Sequence, residues 1–288
     1  MLSKKIGLIL IIFTIFLNNV YSSEKEVTIP YVEWTRCVAI THVAGGILED
    51  LGYDVSLKSV ANAAMWASVA SGSADALLCA WLPITHADLY KKYKKNVEIV
   101  QTNYKGTMIG LVVPSYVKVD KISELHKHKE KFDGKIIGID PGAGMSKIID
   151  NAIENNLSNL GVFKHVTGSE AIMIASLDRA IKRHDWIVVP LWKPHWVFSA
   201  YDLKVLKDEN NIFGEGGDIY TVVHKGLKKD DKLLYTFFKD FDWTKLDLGE
   251  VMIDVKNRID PKDSAEKFIK NKKEKIDTLL KPILKTAK

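Results

Sequence analysis

Twice in this chain a short apolar run ends at a tryptophan and is interrupted by a proline two residues later. Ala76-Leu77-Leu78-Cys79-Ala80 leads into Trp81-Leu82-Pro83-Ile84-Thr85-His86, and Trp186-Ile187-Val188-Val189-Pro190-Leu191 leads into Trp192-Lys193-Pro194-His195-Trp196. Short apolar runs of this kind read as buried strands, the first of them after the turn Gly72-Ser73-Ala74-Asp75. Proline has no N–H to give to a sheet, so Pro83 drives the chain out of the strand just after Trp81. In open α/β sheets ligands bind at the carboxyl ends of the strands, and that is the edge to which each tryptophan is delivered. A helix-like run precedes each unit (residues 65–70 and 172–181), and each half opens with a further candidate helix (residues 41–51 and 145–157). This repeated order of helix, strand, helix, strand and Trp-x-Pro predicts two similar α/β lobes facing each other.

Several other stretches fit that frame. Residues 26–32 and 54–60 alternate as strands, which places Trp34 at a strand-to-helix junction like that of Trp81. Residues 110–114, an apolar strand ended by Pro114, read as the first crossing between lobes. Residues 135–140 open the second lobe, and the return crossing is expected around residues 201–208. The expected division is a first lobe over 23–113, a second over 114–206, and a return segment over 207–288 that packs back on the first.

At the N-terminus Lys4 and Lys5 precede the apolar run 6–17, polar Asn18 and Asn19, and then Val20-Tyr21-Ser22. This is the layout of a signal peptide over residues 1–22, cleaved near Ser22. The run is shorter than the roughly 20 apolar residues a membrane span needs, which disfavours the competing reading of an uncut anchor. No cysteine stands at the cleavage point, so no lipid anchor is expected, and the mature chain should be periplasmic. Removing Lys4 and Lys5 from a chain of net charge +5 leaves +3, too mild a balance to suggest a nucleic-acid partner. The two cysteines, Cys37 and Cys79, are too few to build the fold by disulfides. A single bridge between them and two buried free thiols are both open readings.

The candidate chemistry lies in two features. Asp140-Pro141-Gly142-Ala143-Gly144-Met145-Ser146 joins a predicted strand to a predicted helix, so unpaired N–H groups at the helix start make an anion site. The phosphate-loop and dinucleotide glycine patterns are absent, and a carboxylate is the more natural guest. Trp34, Trp81 and Trp192 all fall at strand ends that would face one cleft. Tryptophan is usually core, but three at matched positions suit a quaternary ammonium, which has no N–H and is held by the negative faces of aromatic rings. Trp66, at the start of its helix, is a further candidate contact, and Trp186, Trp196 and Trp243 are assigned to core or rim. His86, on the exit loop, could donate a hydrogen bond to a bound carboxylate. His42, His86 and His195 lack metal-ligand spacing, so no metal is expected, and no cofactor motif is present. No nucleophile motif argues for an enzyme.

These residues together resemble the substrate-binding proteins of glycine betaine and choline-type ABC importers. The resemblance is carried by Glu33-Trp34-Thr35-Arg36-Cys37-Val38-Ala39, Ala80 to His86, Ile139 to Met145 and Trp192 to Trp196, with further similarity at residues 109–114 and 201–203. It covers about residues 27–226 and implies a periplasmic-binding-protein fold, two α/β lobes closing on ligand. It also implies a prism of tryptophans at Trp34, Trp81 and Trp192 around the trimethylammonium group. The carboxylate would be held by the backbone N–H groups of Gly144 and Met145 and by His86. The implied partners are a small ligand and the membrane subunits of an importer, with the binding protein itself a monomer.

Two departures bear on the ligand. Cys79 stands where many relatives carry an acidic residue, and Arg36 replaces the acid with which choline-specific relatives receive the hydroxyl. A cation at position 36 disfavours choline. The expected order is glycine betaine, then proline betaine or a sulfonium analogue such as dimethylsulfoniopropionate, then carnitine, then choline. The alternatives are an exported enzyme acting on a methylated amine, which would need a base or metal in the cleft, and a sensing module not coupled to transport.

Overall fold

A computed structural model describes residues 25–286. The expected signal peptide over residues 1–22 lies outside the described residues. In chain order the first lobe comprises β1 (Lys25–Tyr31), α1 (Thr35–Asp50), β2 (Tyr53–Ser59), α2 (Asn62–Ser71), β3 (Ala76–Leu82), α3 (Ala87–Tyr93) and the start of β4 (Val97–Pro114). The second lobe carries β5 (Lys135–Ile137), α4 (Gly144–Glu154), β6 (Lys164–Val166), α5 (Glu170–Arg183), β7 (Val189–Lys193), α6 (Val197–Ala200) and β8 (Leu203–Val205). The chain then returns through β9 (Gly217–His224) to α7 (Leu227–Asp230), α8 (Lys232–Asp240), α9 (Gly249–Lys256), α10 (Pro261–Asn271) and α11 (Lys273–Thr286), which complete the first lobe. The architecture is the two-lobed α/β fold that the sequence repeat predicts.

Each lobe has a parallel β–α–β unit at its heart: β1 pairs with β2, and β5 with β6. Helix α1 is apolar along most of its surface, because β2 covers one side while α9 and α10 cover another. The largest fully buried side chains include Trp66, Trp243, Phe237, Phe238, Phe241 and Phe268, all in the first lobe. The return segment therefore supplies much of that lobe's core.

One strand belongs to both lobes. From Val97 to Thr107 β4 pairs antiparallel with β9, and from Met108 onward it pairs with β7 and then β8. Strand β4 thus changes partners within its own length, between Thr107 and Met108. The strand's register with β9 shifts three times between Ile99 and Thr107, where Gly106 takes a positive φ of 73°. That irregularity hides the strand's first half from a reading based on alternation.

Other boundaries also move. Helix α1 starts at Thr35 rather than residue 41, because Trp34, with φ −97° and ψ 131°, stands outside it as the N-cap residue. Residues 186–188 stay out of β7, although the Val188 carbonyl accepts a hydrogen bond from the Ile137 N–H at 3.1 Å. Asn210 still bonds Ser158 of the second lobe at 2.8 Å, and Gly217 is already paired with Thr107 of the first.

Candidate functional site

A cavity lies between the lobes, lined by Trp34, Arg36, Cys37, Trp81, Thr85, His86, Ile109, Ile139, Ala143, Gly144, Met145 and Trp192. Backbone geometry explains how the three indoles reach it. Trp34 is the N-cap residue of α1, Trp81 is next to last in β3, and Trp192 is next to last in β7. All three therefore sit where an element ends at the cleft. Their residual exposures of 8%, 9% and 6% leave each one a face on the cavity and little else. Two come from the first lobe and one from the second. After both Trp81 and Trp192 the X-Pro bond, Leu82-Pro83 and Lys193-Pro194, is cis.

The polar end of the cavity is built from both lobes as well. Gly144 and Met145 are the first residues of α4, and Ala143 at the N-cap offers no side-chain acceptor, so their N–H groups have no intrahelical or capping partner. The Ser146 hydroxyl donates to the Asp140 carbonyl at 2.8 Å and ties the turn down. Gly144 cannot carry a side chain: a Cβ there would come within 1.7 Å of the Thr85 carbonyl oxygen of the opposite lobe. The glycine thus lets the two lobes touch beside the cavity.

His86 is the N-cap residue of α3 and only 1% exposed. Its Nδ1 accepts two hydrogen bonds, from Trp66 Nε1 and from the Trp81 backbone N–H, each at 3.2 Å. An atom accepting two donors carries no proton, so the neutral ring holds its hydrogen on Nε2. Burial, with a smaller contribution from Lys147, pushes the His86 pKa down to about 3, which keeps the ring neutral. His86 therefore presents one N–H donor to the cavity, and no group among the described residues accepts it.

Trp66, expected as an extra contact, does not line the cavity. It is fully buried in α2, packed edge-on to His86 with ring centroids 5.9 Å apart, and its indole N–H is spent on His86 Nδ1. Its influence on the site is through the histidine.

Arg36 and Cys37 belong to the first turn of α1 and line the cavity because that helix starts early. The Arg36 guanidinium lies 5.0 Å from the Tyr104 ring centroid and donates to the Asn103 carbonyl at 3.4 Å. Burial lowers its pKa to about 10, still well above neutrality, so the group stays cationic. Cys37 and Cys79 are joined, with their Cα atoms 5.5 Å apart, and the bridge ties the first turn of α1 to β3. It fixes the bases of Trp34 and Trp81 relative to each other.

Among the described residues two hydrogen-bonded contacts cross the cleft, and no sequence pattern announces either. Trp34 Nε1 donates to Asp140 Oδ2 at 3.0 Å, across 106 residues. Glu170, 4% exposed at the start of α5, accepts from the Thr35 backbone N–H at 3.1 Å and from the Thr35 hydroxyl, across 135 residues. His195, which lacks metal-ligand spacing, faces the same carboxylate with Nε2 at 3.1 Å. The only signal in the sequence is an acid in the first turn of a helix, which ordinarily means no more than a favourable end charge. Among the described residues no group of three His, Cys, Asp or Glu could hold a metal ion, and no helix is long and apolar enough to cross a membrane.

Comparison with known proteins gives a consistent result. Residues 25–271 match the family described as the substrate binding domain of ABC-type glycine betaine transport systems, OpuAC. The glycine betaine/carnitine transport binding protein GbuC of Listeria monocytogenes is 40% identical over 147 residues, 51% of this chain and 49% of that protein. The match therefore spans about half the length of that curated relative. Among solved structures, the glycine/betaine/L-proline-binding protein ProX from Borrelia burgdorferi is 38% identical with a TM-score of 0.84, over 88% of this chain and 96% of that one. Lactococcal OpuAC, in its closed-liganded conformation complexed with glycine betaine, is 38% identical with a TM-score of 0.81, over 89% and 99%. An ABC-transporter choline binding protein in complex with choline is 28% identical with a TM-score of 0.83, over 89% and 92%.

Proposed function

The chain belongs to the family of substrate binding domains of ABC-type glycine betaine transport systems, and on that premise we propose that it captures glycine betaine in the periplasm and delivers it to the membrane subunits of an importer. The observation that carries this reading is the division of one cavity into two chemically different ends. Three indoles surround one end, while the N–H groups of Gly144 and Met145 and the Nε2–H of His86 serve the other. A trimethylammonium group has no hydrogen to donate and gains about 0.5–2 kcal/mol from each ring face, depending on how far it is desolvated. The carboxylate of the same molecule needs donors, and a helix N-terminus offers them together with a partial positive charge.

Because each end draws on both lobes, the ligand bridges them and stabilises the closed form. The protein works as a monomer, without cofactor or catalysis, and its export follows from the signal peptide expected over residues 1–22. Arg36 weighs against choline, which has a hydroxyl where betaine has an anion. Carnitine and the sulfonium analogues keep the anionic end and rank between the two.

Calorimetric and tryptophan-fluorescence titration of residues 23–288 tests the reading. Glycine betaine should bind tightly, tetramethylammonium weakly and choline weakly. Silence towards betaine with a response to choline would retain the cage and overturn the assignment of the polar end. Silence towards all three would remove the cage itself. Exchange of Arg36 for Asp should improve choline relative to betaine, and an unchanged ratio would sink the argument from its charge.

A further inference from the structure

We propose that Glu170 is a positioning residue that clasps the two lobes together and so sets the lifetime of the closed, ligand-holding state. This rests on reading the cleft as a site that closes on its ligand. The carboxylate belongs to the second lobe and is anchored there. His195 Nδ1 accepts from the Val197 N–H at 3.2 Å, so the neutral ring carries its proton on Nε2 and donates it to Glu170 Oε1 at 3.1 Å. Its other partners belong to the first lobe, the N–H and the hydroxyl of Thr35.

Thr35 is the first residue of α1, so its N–H has no partner within the helix. Glu170 is the first residue of α5, whose Ser169 cap bonds the Ile172 N–H. The carboxylate therefore sits between the positive ends of two helices, one from each lobe, and accepts from three donors while almost wholly buried. Opening the cleft would separate it from Thr35 and leave it with His195 alone.

The clasp touches the site on both sides without lining the cavity. Thr35 directly follows Trp34, and His195 packs edge-on against Trp192 with centroids 5.0 Å apart. A ligand that draws Trp34 and Trp192 together thus seats the clasp, and the seated clasp holds the cage shut. The contact made in the closed form and lost in the open one raises affinity without touching ligand.

A double-mutant cycle between Thr35→Val and Glu170→Gln tests this, read by the dissociation constant and dissociation rate for glycine betaine and by the melting point without ligand. A lost hydrogen bond to a charged group predicts that each single variant weakens binding about 10- to 100-fold, chiefly through faster dissociation. The double variant should be no worse than Glu170→Gln alone. Thr35→Val does not touch His195, so it reports on closure even where Glu170→Gln disturbs the second lobe. Unchanged affinity in both single variants, or purely additive losses, would overturn the clasp while leaving the betaine reading intact. If the wild-type chain binds no betaine, that reading fails by itself, and small-angle scattering of the ligand-free chain decides the clasp. A wild type more compact than Glu170→Gln supports it, and identical curves overturn it.

Discussion

The two Trp-x-Pro exits begin alike and end differently. In both, a tryptophan next to last in a strand faces the cavity, the X-Pro bond that follows is cis, and a buried histidine comes soon after. In both, the histidine's Nδ1 accepts from backbone N–H groups, which places the proton on Nε2. The difference is where that proton goes. His86 keeps it for the cavity, whereas His195 gives it to Glu170. On the proposed reading, one motif used twice divides the labour between holding ligand and holding the lobes. A duplicated element need not duplicate its task, because the residue opposite decides what a fixed donor does.

The comparison breaks most readily at the tryptophans. Trp34→Ala, Trp81→Ala and Trp192→Ala should each weaken betaine binding by about 2 kcal/mol or more, roughly 30-fold, in calorimetry. Trp243→Ala, which opens a cavity beside Phe237 and Phe241, should instead cost about 3–5 kcal/mol of stability and leave affinity nearly unchanged. Small, equal losses of affinity at all four would mean that core has been mistaken for cage.

The two histidines should separate next. His86→Ala removes a donor to the carboxylate, so betaine should weaken by about 1.5–3 kcal/mol while tetramethylammonium is spared. His195→Ala loosens the clasp and should weaken both ligands. The same pattern for both variants would erase the division of labour. Trp66→Phe takes away one of the two donors on His86 Nδ1 and should cost about 0.5–1.5 kcal/mol in betaine affinity without changing the cage fluorescence.

The smallest effect concerns pH. With the His86 pKa near 3 in the folded chain against an ordinary 6.5, the folded ring binds fewer protons than the unfolded one between those values. Its contribution to stability is present above pH 6.5 and is lost as pH falls towards 3. Betaine affinity should therefore be flat between pH 6 and 8, and denaturant midpoints should fall below pH 6. An affinity step near pH 6.5 would show that the ring titrates normally.

Much of the fold was legible in the chain because the glycine turn, the repeat and the tryptophans at the ends of elements are local patterns. The strands ending at Trp81 and Trp192 follow from apolar runs and prolines, and α4 from the turn before it. What stayed hidden depends on pairings at long range. Nothing near Glu170 indicates that Thr35 will be its partner, and nothing near Trp66 says that its N–H is taken by a histidine on another element. The early start of α1 is not legible because Thr35-Arg36-Cys37 has no helix signal of its own, and the helix is held there by packing and by the bridge to Cys79. Strand β4 is legible only in its second half, since Gly106 breaks the alternation of the first.

That shared strand also shapes how the molecule comes apart. The sheet order runs β3, β9, β4, β7, so hydrogen bonding continues from one lobe into the other with β4 common to both. Neither lobe can lose its part of β4 without stripping an edge from its neighbour. Heating should therefore melt the two together, in one calorimetric transition whose van't Hoff and measured enthalpies agree. The lobes are separate as jaws but a single unit as matter, and a cut between them should yield no half that folds alone.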